Sequence, residues 1–354
     1  MSSVRKIAKR VGVSVATVSR ALNNCPEVNP ATRAKVLEAA NQVSYTPTIG
    51  KRLTTVIGLV YPGDPVRPGY GDFESALLAG ILQGVNEQKF DVKMVSLERD
   101  KSAKENYTQF FMRKGLRGVI VRSFEATRRV CQEIAAEQFP HIVVADHFDD
   151  PNVNYVWCDS RDDSRRAVQH LIHLGHKRIA LAVHAIRDTD HRDRAEGYRE
   201  ALLEAGILLD PNLTVEMVAN FDGGATAISR LLSLPEPPTA VFFTDPIATL
   251  GGMRRCQELG VKIPAELSIV GFDDSDIRHH TFPAFTAVCQ DARRLGFEAA
   301  LRLTRSVSGQ SGIDLRQTLL TMFEINHTTG QPSSSPVRIL PDGSRVSIGS
   351  GRSH

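Results

Sequence analysis

Residues 3–24 read SVRKIAKRVGVSVATVSRALNN. Ile7, Ala8 and Val11 form one apolar stripe that stops at Gly12. Ser14 is then placed to cap a second helix, VATVSRALNN, on which Val18, Ala21 and Leu22 share a face. Asn29 followed by Pro30 is a start signal for a third helix, PATRAKVLEAANQV, with Val36, Leu37 and Ala40 inward. Two helices joined by a tight Gly-containing turn, with a third as support, describe a helix-turn-helix head over residues 1–46.

Charge sets this head apart from the rest. Residues 1–55 hold nine Lys/Arg against two Asp/Glu, a balance of +7, whereas the other residues hold 34 basic and 38 acidic side chains, a balance of −4. Concentrated positive charge on a small helical unit points to a nucleic-acid-binding head on a near-neutral body, with a plain solvated basic surface as the alternative. Residues 47–55, TIGKRLTT after Pro47, read as a short hinge.

From Val56 the pattern changes to short β-branched runs alternating with amphipathic stretches. The expected strands are 56–60, 92–97, 118–121, 141–145, 154–158, 178–183, 214–219, 240–244, 267–272 and 286–289. Intervening segments such as RAEGYREALLEAG have helical spacing and end at Gly. Such alternation over about 270 residues predicts parallel sheets covered on both faces, and this length suits two α/β subdomains over 56–328. The segment 329–354 is rich in Gly, Pro and Ser and reads as a disordered tail.

Composition narrows the function classes. No apolar run approaches the roughly 20 residues a membrane helix needs. The basic N-terminus has no continuous apolar core of a secretory signal, so a cytoplasmic location is expected. Five widely spaced cysteines, with no CxxC pair, fit neither a disulfide framework nor a structural zinc site.

The head, together with V-x-P-A-T-R-A-K-V-L and Tyr45-x-Pro47, resembles the LacI/GalR family of bacterial transcription regulators. The likeness continues in order through HLIHLGHKRIAL (170–181), RAEGYREAL (194–202), TAVFFTDPIATLGGMR (239–254) and VKIPAELSIVGFDDSDI (261–277), so it covers residues 3 to 328. It implies a periplasmic-binding-protein-like sensor of two parallel-sheet subdomains behind the head. It further implies a homodimer on near-palindromic double-stranded operator DNA, switched by a small-molecule effector such as a sugar. No catalytic residue, metal or cofactor is implied.

On the second helix Ala16 and Arg20 lie one turn apart, opposite the packing face, where an arginine can form two hydrogen bonds with guanine. The resemblance assigns base reading to Val15, Ala16 and Arg20. Val-Ala followed by Thr-Val-Ser-Arg looks like the galactose-repressor form of this helix. Val15 sits at the edge of the buried stripe, so packing is its alternative duty. Ser14, Thr17, Ser19 and Asn23 are short polar residues suited to phosphates, and capping is the alternative for Ser14. In the hinge, Arg52 aligns with the family pattern and Leu53 falls one place early for the family's minor-groove wedge.

In the sensor, the resemblance makes Arg194, Asp273, Asp146, Phe221 and Gln290 ligand candidates, with Arg99 and Phe73 as weaker matches. Thr244-Asp245 stands where the family usually has Asn-Asp. Carboxylates accept from sugar hydroxyls, arginine donates to them, and an aromatic face packs the apolar side of a ring. The alternative for Asp146 and Asp245 is capping at a strand end. Two other classes are alternatives. The aspartates at 273, 274 and 276 or at 146, 149 and 150 could serve a metal-dependent enzyme, but no GxSxG, HExxH or phosphate-loop motif accompanies them. A transport binding protein would share the sensor but has no use for a basic head. His170, His173 and His176 are expected to cap or pack.

Overall fold

The computed structural model describes residues 4–22, 27–42, 54–61, 72–185, 189–340 and 342–348. The head is three helices, α1 (Val4–Val11), α2 (Val15–Leu22) and α3 (Pro30–Gln42). Ile7, Ala8, Val18, Ala21, Leu22, Val28, Val36, Ala39 and Ala40 form their shared core. Both start signals work as chemistry demands. The Ser14 hydroxyl accepts from the Thr17 amide at 3.0 Å, and the Asn29 side chain accepts from the Ala31 amide at 2.8 Å.

The body holds two six-stranded sheets. The first orders its strands β11 (Arg316–Leu320), β5 (Tyr155–Asp159), β4 (His141–Val144), β3 (Gly118–Arg122), β1 (Val56–Tyr61) and β2 (Asp91–Ser96). The second orders β12 (Met322–Glu324), β10 (Thr286–Cys289), β9 (Ser268–Asp273), β8 (Ala240–Phe243), β6 (Ile179–His184) and β7 (Thr214–Met217). Neighbours from β5 to β2 in the first and from β10 to β7 in the second are parallel; β12 runs antiparallel to β10. Strands β3, β4, β8 and β9 are buried along their whole length, which is why they read as unbroken apolar runs.

The connecting helices are α4 (Asp72–Glu87), α5 (Leu97–Asp100), α6 (Tyr107–Arg113), α7 (Arg128–Ala136), α8 (Arg161–His173), α9 (Thr189–Glu204), α10 (Phe221–Ser233), α11 (Pro246–Glu258) and α12 (Ala292–Val307). The chain divides into two compact units. One comprises residues to 66, 80–156 and 296–317, and the other 67–79, 157–295 and 318 onward. Among the described residues no helix is long and apolar enough to cross a membrane.

The C-terminal segment differs from expectation. Residues beyond 329 were read as a disordered tail, yet β13 (Val337–Ile339) and β14 (Arg345–Ser347) pair as an antiparallel hairpin. Val337 and Ile339 enter the core of the second unit. Arg345 pairs with Glu266 and donates to the Gly260 carbonyl. Asp342-Gly343 supplies the turn, with Gly343 at φ +80° and the Ser344 amide on the Asp342 carboxylate at 2.9 Å. The apolar alternation was two residues long and hidden among Pro and Ser. Of the three histidines expected to cap or pack, His173 is exposed, while His170 and His176 hold the start of this segment. His170 meets the Thr329 hydroxyl at 3.0 Å, and His176 bridges the Thr239 hydroxyl at 2.8 Å and the Gly330 carbonyl at 2.9 Å.

Helices α10 and α11 cross at glycine. A Cβ on Gly224 would lie 1.9 Å from the Ala248 carbonyl oxygen, and one on Gly251 would lie 1.9 Å from that of Phe221. Backbone cannot yield as a side-chain tip can. Gly224→Ala is therefore expected to destabilise the second unit by about 1–3 kcal/mol. In urea unfolding this lowers the midpoint at unchanged slope; an unmoved midpoint would contradict so close a crossing.

Candidate functional site

On α2 the buried residues are Val18, Ala21 and Leu22. Ser14, Val15, Ala16, Ser19 and Arg20 are exposed, and Thr17 is half-buried. Val15 is 46% exposed, which removes packing as its duty. Helical geometry therefore presents Val15, Ala16 and Arg20 together on the face away from the head's core. Ser14 spends one lone pair on the Thr17 amide and meets the Thr17 hydroxyl at 2.8 Å, so its role as a cap is established by geometry. Asn23, Arg52 and Leu53 lie outside the described residues.

In the second unit Arg194 gathers several of the sensor residues. The side chain comes from α9 and is 3% exposed. Its Nη1 donates to the Thr244 carbonyl at 2.7 Å, Nη2 faces the Gln290 Oε1 at 3.5 Å, and the guanidinium lies over the Phe272 ring, 3.5 Å from its centroid. Asp190, one turn earlier, stands 3.9 Å away. Arg194 Nε and the Thr244 hydroxyl are buried without a hydrogen-bond partner. Gln290 turns its Nε2 to Asp274 at 2.7 Å. Burial pushes the Asp274 carboxyl up to about 7, against the pull of Arg194 and with the help of Asp245; the hydrogen bond from Gln290 lowers it and the charge of Asp273 raises it.

The remaining candidates are placed elsewhere or differently. Asp273 accepts from the amides of Ser275 (3.1 Å), Ile277 (3.2 Å) and Arg278 (3.1 Å) and from Arg278 Nη1 (2.8 Å). It organises its own loop, because four bonds fill the lone pairs that a ligand would need. Asp245 caps α11 by accepting from the Ala248 amide at 2.8 Å. Phe221, the first residue of α10 behind the Asn220 cap, lies 5.4 Å from the Arg254 guanidinium. It lines a groove of about 480 Å³ with Leu250, Met253, Phe282 and Pro283, so it meets α11 and not the Arg194 cluster.

In the first unit Asp146 follows β4. It accepts from the Ser123 hydroxyl at 2.7 Å and the His147 amide at 2.8 Å, and it pairs with Arg128, whose guanidinium stacks 4.1 Å from the Phe148 ring. This is the strand-end role. Arg99 has a side chain 74% exposed and binds Asp100 at 2.9 Å. Phe73 is half-buried on α4.

Asp273 bonds the backbone amide two residues on, at Ser275, as turn aspartates commonly do.

Residues 3–48 match the model of the bacterial regulatory proteins of the lacI family, and residues 168–324 match the periplasmic binding protein-like domain. The HTH-type transcriptional regulator DegA of Bacillus subtilis (strain 168) is 28% identical over 338 residues, covering 93% of this chain and 98% of DegA. A complex of the transcriptional regulator CelR with cellobiose is similar with a TM-score of 0.65 at 27% identity, over 93% of this chain and 100% of that one. A LacI family regulator from Enterococcus faecium with bound ribose gives 0.65 at 25% identity, over 78% and 99%. With its helix-turn-helix head and two mostly parallel sheets, the chain belongs to the LacI family of bacterial transcription regulators.

Proposed function

We propose that the chain is a sequence-specific repressor that binds a near-palindromic operator as a homodimer and is switched by a small polar metabolite, a saccharide. It works in the cytoplasm and is not an enzyme. The observation that carries the reading is the exposed face of α2, where Val15, Ala16 and Arg20 stand opposite the packed Val18, Ala21 and Leu22.

The chemistry follows from that face. Arg20 can donate two hydrogen bonds to guanine O6 and N7, while the apolar Val15 and Ala16 suit thymine methyl groups. Ser14, Thr17, Ser19 and, in the hinge, Arg52 serve phosphates, which fix register without reading sequence. One small head makes few phosphate contacts, so tight binding calls for two heads on adjacent half-sites, and a two-fold dimer matches a near-palindrome. The effector is met in the second unit by Arg194, Gln290 and the Thr244 hydroxyl. The cellobiose and ribose of the similar solved regulators support a saccharide here. By binding one conformation better than another, the effector changes operator affinity through that difference alone.

Arg20→Ala is expected to weaken operator binding by about 1–3 kcal/mol and binding to random DNA far less. Anisotropy titrations of both DNAs at one salt concentration measure it, and equal losses would make Arg20 a phosphate contact. Removing residues 1–55 is expected to abolish operator binding while the remainder still melts cooperatively and is stabilised by its effector. Operator affinity retained by that fragment would place DNA recognition outside the head.

A further inference from the structure

A second buried guanidinium, that of Arg278, stands in the short turn Ile277–His280 after β9 and is 5% exposed. Its fork holds three carboxylates from three segments. Nη1 donates to Asp273 at the end of β9 and to Asp276 in the loop, both at 2.8 Å, and Nη2 donates to Glu324 on β12 at 2.8 Å. The Arg278 backbone belongs to the same hub: its amide donates to Asp273 at 3.1 Å, and its carbonyl accepts from the Thr281 hydroxyl at 2.9 Å. On its other side Glu324 is held by Asn326, whose Nδ2 donates to Oε1 at 2.9 Å and to the Phe285 carbonyl at 3.1 Å.

Little else secures β12. It is three residues long, none of them buried, and it joins β10 through the pairs Ala287–Glu324, Val288–Phe323 and Cys289–Met322. Its place in the chain is a crossover: the first unit is left at residue 317, and Thr321 alone separates β11, in the first sheet, from β12, in the second. A planar fork fixes the carboxylates it grips relative to one another. Asp273, 1% exposed, cannot part from Arg278 without stranding a buried charge. A displacement at the end of β9 therefore carries Glu324 with it. We propose that Arg278 is the positioning residue that passes effector occupancy at the strand ends of the second sheet to β12, and through this crossover to operator affinity. The proposal rests on the reading of the chain as a saccharide-responsive regulator. Arg278 needs no contact with the effector; its role is to join the strand end to the crossover.

Two measurements on the full chain test this role. Calorimetry with D-ribose and cellobiose gives sugar affinity. Anisotropy with a duplex selected from a random-sequence pool by the wild-type chain gives DNA affinity with and without the sugar that binds. In wild type the sugar should shift DNA affinity by about fivefold or more. In Glu324→Ala that shift should fall below about twofold, while sugar affinity and sugar-free DNA affinity each stay within about twofold of wild type. Arg278→Met should lose the same shift, and the double variant should lose no more than Arg278→Met alone, because both changes cut one link. A merely structural pair lowers the melting temperature and leaves the shift intact, so a wild-type shift in Glu324→Ala overturns the proposal. Sugar affinity lost in Glu324→Ala overturns it too, since β12 would then shape the sugar site itself. The second measurement needs no sugar. Linkage is reciprocal, so the selected duplex must act on the same hub from the other side. Hydrogen exchange at residues 274–283 and 322–326 should change when wild type binds the duplex, and in Glu324→Ala the change at 274–283 should disappear. No wild-type response at these segments, or a response at 274–283 that survives in Glu324→Ala, overturns the proposal. If neither sugar shifts the wild-type chain, the saccharide reading fails and the exchange measurement alone decides the role of Arg278.

Discussion

A guanidinium 3% exposed to solvent must find its acceptors inside the protein, and Arg194 finds them at the ends of three neighbouring strands. The carbonyl of Thr244 follows β8, the Phe272 ring belongs to β9, and Gln290 follows β10. These strands are adjacent and parallel, with Phe242 opposite Val270 and Asp273 opposite Cys289. Parallel register brings the three C-terminal ends to one edge, which is where open α/β sheets bind ligands. A register slip of one residue would send every side chain to the opposite face and dismantle the cluster. The glycine crossing of α10 and α11 packs together the two helices that leave this edge, one after β7 and one after β8.

Much of this was legible in the residues. All ten expected strands exist, because buried parallel strands are short unbroken apolar runs that local composition can reveal. The head's helices start at Ser14 and Asn29 as capping chemistry requires. Strands β11 and β12 escaped because RQTLL-T-MFE is largely exposed and joins its sheets by pairing, not by burial. The β13–β14 hairpin escaped for a related reason: only Val337 and Ile339 mark it as core. Its signal was the Asp342-Gly343 turn.

The sensor site was legible at the level of motifs and not of atoms. Arg194 and Gln290 were named and lie together. Asp273 was named too, but its lone pairs are taken by Ser275, Ile277 and Arg278. Neighbouring residues at a strand end point to opposite sides, so a motif containing both aspartates cannot say which is available. Asp146 and Asp245 resolved to strand-end roles, and Phe221 to the face of α11. Val15 went the other way, from a possible packing residue to an exposed one.

In the proposed function the Arg194 cluster couples a small polar molecule to operator affinity. Arg194→Lys keeps the charge but loses the planar fork that grips Thr244 and Gln290 and stacks on Phe272. The most direct measurement is operator anisotropy during titration with a saccharide that shifts the operator affinity of the wild-type protein, for both forms, after thermal melting confirms that each is folded. Equal operator affinity without sugar is expected, with the sugar concentration for half the response raised about tenfold or more in the variant. A response of both forms at the same concentration would contradict this role and place effector recognition away from Arg194.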